Sequence, residues 1–426
     1  MWVLCDINAA YVSFCALFNP QYNMDRVPLG VLSSNQGNVI ARNQAIKDLN
    51  VKMGDAAFNV CEIVKHNNGH LWGSNFNLFG DMSDRFHTEL EMFLFDTIRY
   101  SVDESFGKVD VKHTQNLKKL GHTIQSALHR NVGLTVGLGM ASTKTLAKLG
   151  SHCAKQQQWK AHTGGVVVLD TQHKVDWALK HCPVGDIWGV GSRTETKLKA
   201  MGVVTGLDLK KLDVSIIKQQ FSVVLARTVQ ELNGINAVEL KDIQSNRDRI
   251  CVSQSMGKAV TCENEMMEAV ATHTTRAANK LRRFESFTSA ITIFIGTNSF
   301  DKSQAQYHKS QLIRLPFPCA DTLTLVAYAT YALKSIFKAG YKYKKVGVIL
   351  EQLSKSDTEQ QLELLSDVGP LKVDKRTAVL DEINKKFGQS TIHTATEGFN
   401  HDWRPKDNLA PPSYTTKLSD LPTAKA

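Results

Sequence analysis

The sequence lacks the features by which membrane-spanning, secreted and zinc-binding chains are ordinarily recognised. It contains no run of about 18 apolar residues, so we expect no membrane-spanning helix. The first residues, MWVLCDINAAYVSF, carry no basic leader and reach an acid at Asp6, so we expect no secretory signal. The eight cysteines lie far apart without a C-x-x-C pair, which indicates reduced thiols in a cytoplasmic protein.

Positive charge is what the chain has in excess. In total, 51 Lys and Arg residues oppose 41 Asp and Glu residues, which gives a net charge of +10. Residues 241–350 hold 10 Lys and 6 Arg against 4 Asp and 4 Glu, so this segment alone carries +8. Concentrated positive charge on a folded segment favours a polyanionic partner, most often nucleic acid. A basic face that is merely solvated is the alternative.

The order of predicted elements indicates an α+β protein with several domains. A chain of 426 residues, 42% of them hydrophobic, is expected to fold into two to four domains. The apolar run at 2–5 predicts a buried strand, and 98–111 predicts two strands joined by an acidic turn. Helical spacing occurs at 83–97, with Ser83 as its cap, and again at 114–130 and 142–156. Acid-bearing strands followed by helices favour a small α/β palm.

The second half of the chain shows three further patterns. Residues 174–235 are mostly helical, and 250–350 follow a β-α-β-β-α-β order. Beyond about 352 the chain is polar and aperiodic, so we expect a tail with local structure at most. Residues 187–202 predict a helix, a glycine turn and a second helix, whose backbone N–H groups could approach a phosphate. An ordinary helix–turn–helix packing element is the alternative for this last segment.

Carboxylates follow two of the predicted strands. Asp6 ends the first strand, and Asp103 and Glu104 lie in the acidic turn. A single acid at a strand end is usually a cap or an ion-pair partner, but two apolar strands rarely end in unpaired acids without a cation. Three converging carboxylates are hard oxygen ligands suited to Mg²⁺. Two such ions, about 3.5–4 Å apart, can stabilise both oxygens of a phosphoryl displacement.

Several of these segments resemble the Y family of translesion DNA polymerases. The matching stretches, in the order of the family, are LCDINAAYVSF (4–14), VIARN (39–43), VKMGD (51–55), SNFNLFGDMSDR (74–85), YSVDESF (100–106), TVGLGMASTKTLAKL (135–149), IWGVGSRTETKLKAMG (187–202) and PPSYTTK (411–417). The resemblance covers essentially the whole chain. The acidic turn and the S-T-K-T-L-A-K-L helix are its specific signals.

The resemblance implies a right-hand polymerase fold. The implied parts are a palm (1–12 and 75–165), small fingers (13–74), a helical thumb with a helix-hairpin-helix (166–240), a little finger (241–350) and a C-terminal tail with a clamp-binding motif (351–426). The implied function is error-prone, template-directed DNA synthesis on primed, damaged DNA from deoxynucleoside triphosphates. It would serve SOS mutagenesis and damage tolerance in the cytoplasm, with two Mg²⁺ ions as cofactors.

The resemblance also assigns residues to the catalytic centre. Asp6, Asp103 and Glu104 would be catalytic and would bind both metals, with the Ile7 carbonyl as a further ligand. Tyr11 matches the steric gate, an aromatic ring that leaves no room for a ribose 2′-hydroxyl. A packed core tyrosine is the alternative for Tyr11.

Basic residues are implied to hold the substrates. Lys148, and more weakly Lys144, would contact the incoming triphosphate as point charges. In the fingers Gln44 and Lys47 stand where many members have a tyrosine and an arginine, so Lys47 supplies charge but no bidentate fork. The DNA-phosphate candidates are Gly189, Gly191, Arg247, Arg249, Lys258, Arg282, Arg283, Lys342, Lys344 and Lys345.

Partners are implied by the resemblance as well. Similar proteins work with a UmuD′-like dimer and a RecA filament, so we expect low activity in isolation. Gln361-Leu362-Glu363-Leu364-Leu365 resembles the Q-L-x-L-F peptides that bind sliding clamps, although one turn of an amphipathic helix is the alternative. Two other functions stay open: another two-metal palm enzyme such as a nucleotide cyclase, and a non-catalytic DNA-binding or scaffold member of the same fold.

Overall fold

A computed structural model shows two compact units. It describes residues 1–421 except 35–36, 112–113, 115, 157–158, 160–161, 240–247, 356–374, 389, 400 and 406–407. The first unit comprises Met1–Ser245 and Asp407–Ala426, and the second comprises Asn246–Lys406. Arg247 and the predicted clamp motif at 361–365 lie outside the described residues. Among the described helices, none combines the length and apolar character needed to cross a membrane.

A five-stranded sheet forms the centre of the first unit. Its order is β5–β6–β1–β7–β8, formed by β1 (Trp2–Ile7), β5 (Phe95–Arg99), β6 (Glu104–Lys108), β7 (Val136–Ala141) and β8 (Val166–Leu169). A smaller sheet of order β3–β2–β4 contains β2 (Leu29–Leu32), β3 (Val39–Arg42) and β4 (His70–Gly73). The central strand β1 pairs antiparallel with both β6 and β7. The pairing of β1 with β6 places Asp6, Asp103 and Glu104 at the same end of β1.

Helices cover both faces of the five-stranded sheet. The described helices of this unit include α1 (Ala10–Ala16), α2 (Gln44–Asp48), α3 (Ala57–His66), α4 (Phe76–Glu91), α5 (Leu117–Val132), α6 (Lys144–Lys155), α7 (Gln172–His181), α8 (Ser192–Ala200), α9 (Gly206–Lys210), α10 (Val214–Gln220) and α11 (Val223–Leu232). Val3 and Cys5 pack with α4 and α5, whereas Leu4 packs with α6 and the helices beyond it. Since side chains alternate along a strand, Asp6 lies on the same face as Leu4 and α6.

The helix expected over 83–97 begins and ends earlier. Asn75 caps α4, because its side chain accepts a hydrogen bond from the Leu78 N–H at 3.1 Å. The apolar face starts at once with Leu78 and Phe79, both fully buried, and Ser83 lies inside the helix. After Glu91 the chain turns into β5. The sequence signal for the helix was correct, but the predicted Ser83 cap was wrong.

The second unit confirms the expected β-α-β-β-α-β order. Its elements are β9 (Arg249–Val260), α12 (Glu263–Arg283), β10 (Ser286–Thr297), β11 (His308–Cys319), α13 (Thr322–Ile336) and β12 (Tyr343–Lys355). The four strands form an antiparallel sheet of order β11–β10–β12–β9. Apolar side chains of α12 and α13 pack with the inner face of this sheet, including Ile291, Ile293 and Val348.

The described residues from 375 onwards are more ordered than the expected tail. They form helix α14 (Lys375–Phe387) and then place Trp403, only 1% exposed, in the apolar core of the second unit. The Trp403 ring meets His273 edge-on at 5.6 Å, and its carbonyl accepts from the Gly257 N–H at 2.8 Å. A single buried tryptophan therefore anchors a stretch that has little hydrophobic periodicity.

The C-terminal segment (residues 408–421) returns to the first unit. The Gly73 N–H donates to the Leu409 carbonyl at 2.7 Å, which adds this segment to the end of β4. The Asn75 side-chain amide donates to the Pro411 carbonyl at 2.8 Å and to the Ser413 hydroxyl at 3.0 Å. The segment thus holds the point where the chain leaves β4 and enters α4.

Tyr414 gives this contact an aromatic anchor. Its ring stacks on Phe18 with centroids 4.7 Å apart, and its hydroxyl accepts from the Asn19 amide at 3.4 Å. We expect Tyr414→Ala to lower the free energy of unfolding by about 1–3 kcal/mol, because a partly buried aromatic pair is lost. Urea denaturation followed by circular dichroism measures this change. Tyr414→Phe keeps the ring and should stay close to wild type; equal stability of Tyr414→Ala and wild type would show that the segment does not hold the fold.

Candidate active site

Backbone pairing brings the predicted acids together. Asp6 and Glu104 are direct partners in the β1–β6 register. The Ile7 N–H donates to the Asp103 carbonyl at 2.9 Å, one step further along the same pair of strands. Residues that lie almost a hundred positions apart in the sequence therefore meet at one end of β1. The backbone positions of the acids agree with the prediction that they lie at neighbouring strand ends.

Two lysines of α6 pair with two of these acids. The Lys148 Nζ lies 2.6 Å from the Glu104 Oε1, and the Lys155 ammonium contacts the Asp6 carboxylate. The side chains of Asp6 and Glu104 are each only 15% exposed, so both ion pairs are largely shielded from water. Such shielding strengthens the attraction between opposite charges. The acids at this end of β1 are therefore balanced by cations of the chain itself.

The three carboxylates do not close around one point, which differs from the predicted convergence. Asp103 accepts a hydrogen bond from the Ser101 hydroxyl at 2.6 Å, while Asp6 and Glu104 face different lysines. Among the described residues, no group of three or more His, Cys, Asp or Glu side chains is arranged to hold a metal ion. Each acid therefore has a separate partner within the chain.

Lys155 is the site residue that sequence reasoning missed. Besides Asp6, its ammonium donates to the Ile7 carbonyl at 3.3 Å. A Cβ on Gly137 would lie 2.9 Å from the Lys155 Cγ, so the glycine leaves room for the lysine stem. Lys155 follows Lys148 by seven residues, about two helical turns, and this spacing is the signal that could have revealed it. Its ammonium occupies the place between two predicted metal ligands, so these oxygens already accommodate a cation.

The carboxylates are close enough to affect one another. Burial raises the pKa of Asp6 above its ordinary value, and the charges of Glu104 and Asp103 add to the increase. The Lys155 ammonium opposes this shift of the pKa. Carboxylates that repel one another in a shielded place favour a bound cation, and oxygen donors of this kind suit Mg²⁺. The donor set therefore fits the implied metals.

Tyr11 lies beside the acidic turn. Helix α1 begins after Ala9, whose φ of +45° is left-handed, and this sharp bend follows directly on β1. The Tyr11 ring stacks on Phe79 at 4.6 Å with an interplanar angle of 17°, and it stays half-buried. Burial raises the pKa of the Tyr11 phenol, and the charge of Asp103 raises it further. The ring is thus fixed on one side and accessible on the other.

Helix α2 brings a further positive charge close enough to influence the site. Lys47 is an exposed residue of α2. Partial burial of its ammonium group lowers its pKa, and the charges of Arg42 and Lys155 lower it further. Arg42 lies five residues before Lys47, whereas Lys155 belongs to the distant helix α6. Gln44, the other altered finger residue, donates from its amide to the Asp48 carboxylate at 2.8 Å.

Lys144 does not join this group, which corrects the weaker triphosphate candidate. Its side chain is 4% exposed, and its Nζ donates to the Val238 carbonyl at 2.7 Å. The same ammonium lies 4.3 Å from the centre of the Trp2 ring. Although Lys144 is one helical turn before Lys148, its ammonium contacts these two partners inside the protein.

The glycine turn precedes α8 as predicted, but the helix predicted before the turn is not at 187–189. Instead of a helix at 187–189 there is a short 3-10 helix over Val184–Asp186, preceded by α7. Gly189 has a φ of +91°, a left-handed conformation that ends any helix before it. Gly189 and Gly191 are both exposed, and no side chain caps α8 at Gly191. The backbone N–H groups of the first α8 turn are therefore open to an anion.

The basic residues of the second unit differ in whether their side chains are exposed or already bound within the protein. Arg249 and Arg283 are exposed, as are Lys342 and Lys345. Arg282, by contrast, donates to both Asp381 oxygens at 2.6 and 2.7 Å and to the Ala320 carbonyl at 2.8 Å. This removes Arg282 from the phosphate candidates, because its guanidinium already has internal partners.

Comparison with known proteins identifies the family. The impB/mucB/samB family matches residues 5–152, its helix-hairpin-helix motif 174–203 and its C-terminal domain 247–364, and a domain of unknown function matches 377–424. Protein UmuC of Salmonella typhimurium (strain LT2) is 36% identical over 423 residues, which cover 99% of both chains. Protein MucB of Escherichia coli is 35% identical over 428 residues, covering 100% of this chain and 99% of MucB. A solved Y-family DNA polymerase chimera of Dbh and Dpo4 shares the fold, with a TM-score of 0.66, 17% identity and coverage of 83% of this chain and 99% of the chimera.

The chain therefore belongs to the Y family of DNA polymerases, among the UmuC, MucB, ImpB and SamB proteins. It is a DNA-directed DNA polymerase of the translesion type, which binds DNA and nucleotides as its substrates. The predicted α+β polymerase fold, with a helix-hairpin-helix thumb and a little-finger domain, is confirmed.

Proposed function

We propose that this polymerase extends a primer by nucleotidyl transfer with two Mg²⁺ ions at the end of β1. Asp6, Asp103, Glu104 and the Ile7 carbonyl would hold the ions. The observation that supports this proposal is the Lys155 ammonium, which contacts both the Asp6 carboxylate and the Ile7 carbonyl and so places a positive charge beside two of the proposed ligands. When bound, the ions would stabilise charge on the attacking and leaving oxygens.

Three lysines would hold the incoming triphosphate. Lys148 and Lys155 sit beside the acids, and Lys47 adds charge from the fingers. Ammonium groups bind phosphate oxygens as point charges, with hydrogen bonds that both charges strengthen. The half-buried face of Tyr11 would contact the sugar of the same nucleotide. In this proposal the chain binds, orients and selects the nucleotide.

The cellular role is proposed from the same family membership. We assign this chain to SOS mutagenesis and DNA damage tolerance in the cytoplasm, together with a UmuD′-like dimer, a RecA filament and a sliding clamp. Identity of 36% with UmuC over almost the whole chain supports the role. The clamp contact depends on the sequence at 361–365, which lies outside the described residues. Activity without these partners should be low.

Templated primer extension tests the proposed function. The purified chain, supplied with Mg²⁺ and all four deoxynucleotides, should extend a primer opposite an intact template and opposite an abasic site. Addition of the UmuD′-like dimer and RecA filament should increase the product. DNA binding without extension under every condition would leave only a scaffold function, and equal extension with and without the partners would contradict the partner assignment.

Two adjacent arginines of α12 provide a matched test of DNA binding. Arg283→Ala should weaken binding to primer–template about threefold and reduce the slope of log affinity against log salt by about 1, because one phosphate contact is lost. Arg282→Ala should leave this slope unchanged and lower thermal stability, since Asp381 loses its partner. Fluorescence anisotropy at several salt concentrations measures the slope. A reduced slope in Arg282→Ala alone would reverse the assignment.

A further inference from the structure

Tyr100 connects the acidic turn to Lys148. Its backbone N–H donates to the Glu104 carbonyl at 3.1 Å, so the residue belongs to the hairpin that presents Asp103 and Glu104. The Lys148 Nζ lies 4.8 Å from the centre of the Tyr100 ring. The same ammonium lies 2.6 Å from the Glu104 carboxylate. Lys148 is therefore held between an aromatic face and a carboxylate of the same hairpin.

Trp188 braces Tyr100 from the glycine turn. Its indole N–H donates to the Tyr100 hydroxyl at 3.1 Å. The two rings meet edge-on, with centroids 5.7 Å apart and an interplanar angle of 86°. Trp188 also packs against Phe106 of β6 at 5.7 Å. The residue immediately before Gly189 thus fixes the orientation of a ring beside the catalytic acids.

We propose that Tyr100, braced by Trp188, is a positioning residue that keeps the Lys148 ammonium ready for the incoming triphosphate. This inference depends on the proposed function. A lysine side chain loses about 2 kcal/mol of rotamer entropy when it is fixed, so it needs more than one contact to stay in place. A cation over an aromatic face gains roughly 0.5–2 kcal/mol, which offsets much of that loss. The ring would therefore act through Lys148 rather than on the substrate.

The proposal predicts that Tyr100→Leu needs more nucleotide but less Mg²⁺ than wild type. Without the ring, Lys148 would spend less time near the triphosphate, so Tyr100→Leu should raise the KM for the nucleotide about 3- to 30-fold. Lys148 would also compete less for Glu104, so the Mg²⁺ concentration needed for half-maximal rate should fall. Since the lost interaction supports binding, kcat should change little. A merely disordered site would instead need more of both nucleotide and Mg²⁺.

A double-mutant cycle isolates the contact. Single-nucleotide insertion is measured for Tyr100→Leu, Lys148→Met and the double variant, together with equilibrium nucleotide binding to the enzyme on a chain-terminated primer. If Tyr100 acts through Lys148, the double variant should bind nucleotide no more weakly than Lys148→Met alone. Tyr100→Phe loses the hydrogen bond from Trp188 but keeps the aromatic face and the edge-on ring contact, so nucleotide binding should stay within about twofold of wild type.

Two outcomes would overturn the proposal while leaving the polymerase assignment intact. One is additive losses of nucleotide binding in the double variant, and the other is a Tyr100→Leu variant that needs more Mg²⁺ as well as more nucleotide. Wild-type protein that inserts no nucleotide under any condition would instead contradict the proposed function. The wild-type insertion rate therefore distinguishes failure of the Tyr100 proposal from failure of the proposed function.

Discussion

Asp103→Asn is expected to abolish primer extension while the chain stays folded. Loss of one carboxylate from the acid group should lower the insertion rate by at least about 1,000-fold, because metal stabilisation of a phosphoryl transition state contributes several kcal/mol. The asparagine side-chain oxygen can still accept the Ser101 hydroxyl, which donates at 2.6 Å in the native chain. The Asp103 carbonyl that pairs with the Ile7 N–H is unchanged. Single-nucleotide insertion kinetics measure the loss, and circular dichroism checks the fold.

Asp84→Asn is the matched control for this experiment. Asp84 is an exposed acid of α4 that pairs with Arg99 at 2.9 Å, so it tests loss of a carboxylate outside the site. Exposed pairs of this kind contribute about 0–1 kcal/mol, and extension should stay near the wild-type rate. Extension by Asp103→Asn at the wild-type rate would show that the acid group is not the metal site.

Local sequence patterns predicted the framework of the site. The strand at 2–5 and the second strand of 98–111 correspond to β1 and β6, because alternating and apolar runs reflect short-range backbone geometry, whereas β5 begins three residues before the predicted first strand. In the observed register of those strands, Asp6 lies opposite Glu104. The placement of these acids at neighbouring strand ends could therefore be predicted from the sequence, but the register could not.

Side-chain partners across long sequence distances could not be predicted in this way. The sequence predicts a phosphate ligand at Arg282, but the partner of this arginine, Asp381, lies 99 residues further along the chain. Lys144 shares a helical face with Lys148, yet the Val238 carbonyl and the Trp2 ring decide where its ammonium goes. Such contacts depend on tertiary packing, which helical spacing alone does not contain.

The tertiary contacts of the C-terminal residues could not be predicted from sequence patterns either. Trp403 is buried in the second unit, and Tyr414 stacks on Phe18 in the first, although both lie in polar stretches without periodicity. Isolated aromatic residues can anchor irregular chain by burying large apolar areas. The polar, aperiodic composition therefore gave no sign that Trp403 and Tyr414 pack against the folded units.

Tyr11→Ala is expected to admit ribonucleotides. In the native chain the Tyr11 ring is held by its stack on Phe79, so it cannot easily turn aside for a 2′-hydroxyl. An extra atom forced against a fixed ring costs roughly 1–3 kcal/mol, so removal of the ring should raise ribonucleotide insertion about 10- to 100-fold relative to deoxynucleotide insertion. The ratio of kcat/KM for the two sugars, with the same base and template, measures this selectivity.

Tyr11→Phe separates the ring from its hydroxyl. Phenylalanine keeps the aromatic surface that stacks on Phe79 and loses only the phenol oxygen. If the discrimination is steric, Tyr11→Phe should reject ribonucleotides as wild type does, while Tyr11→Ala accepts them. Loss of selectivity in Tyr11→Phe would instead assign discrimination to the hydroxyl. Unchanged selectivity in Tyr11→Ala would place the gate on another residue, since no ring would then remain at this position to exclude the sugar oxygen.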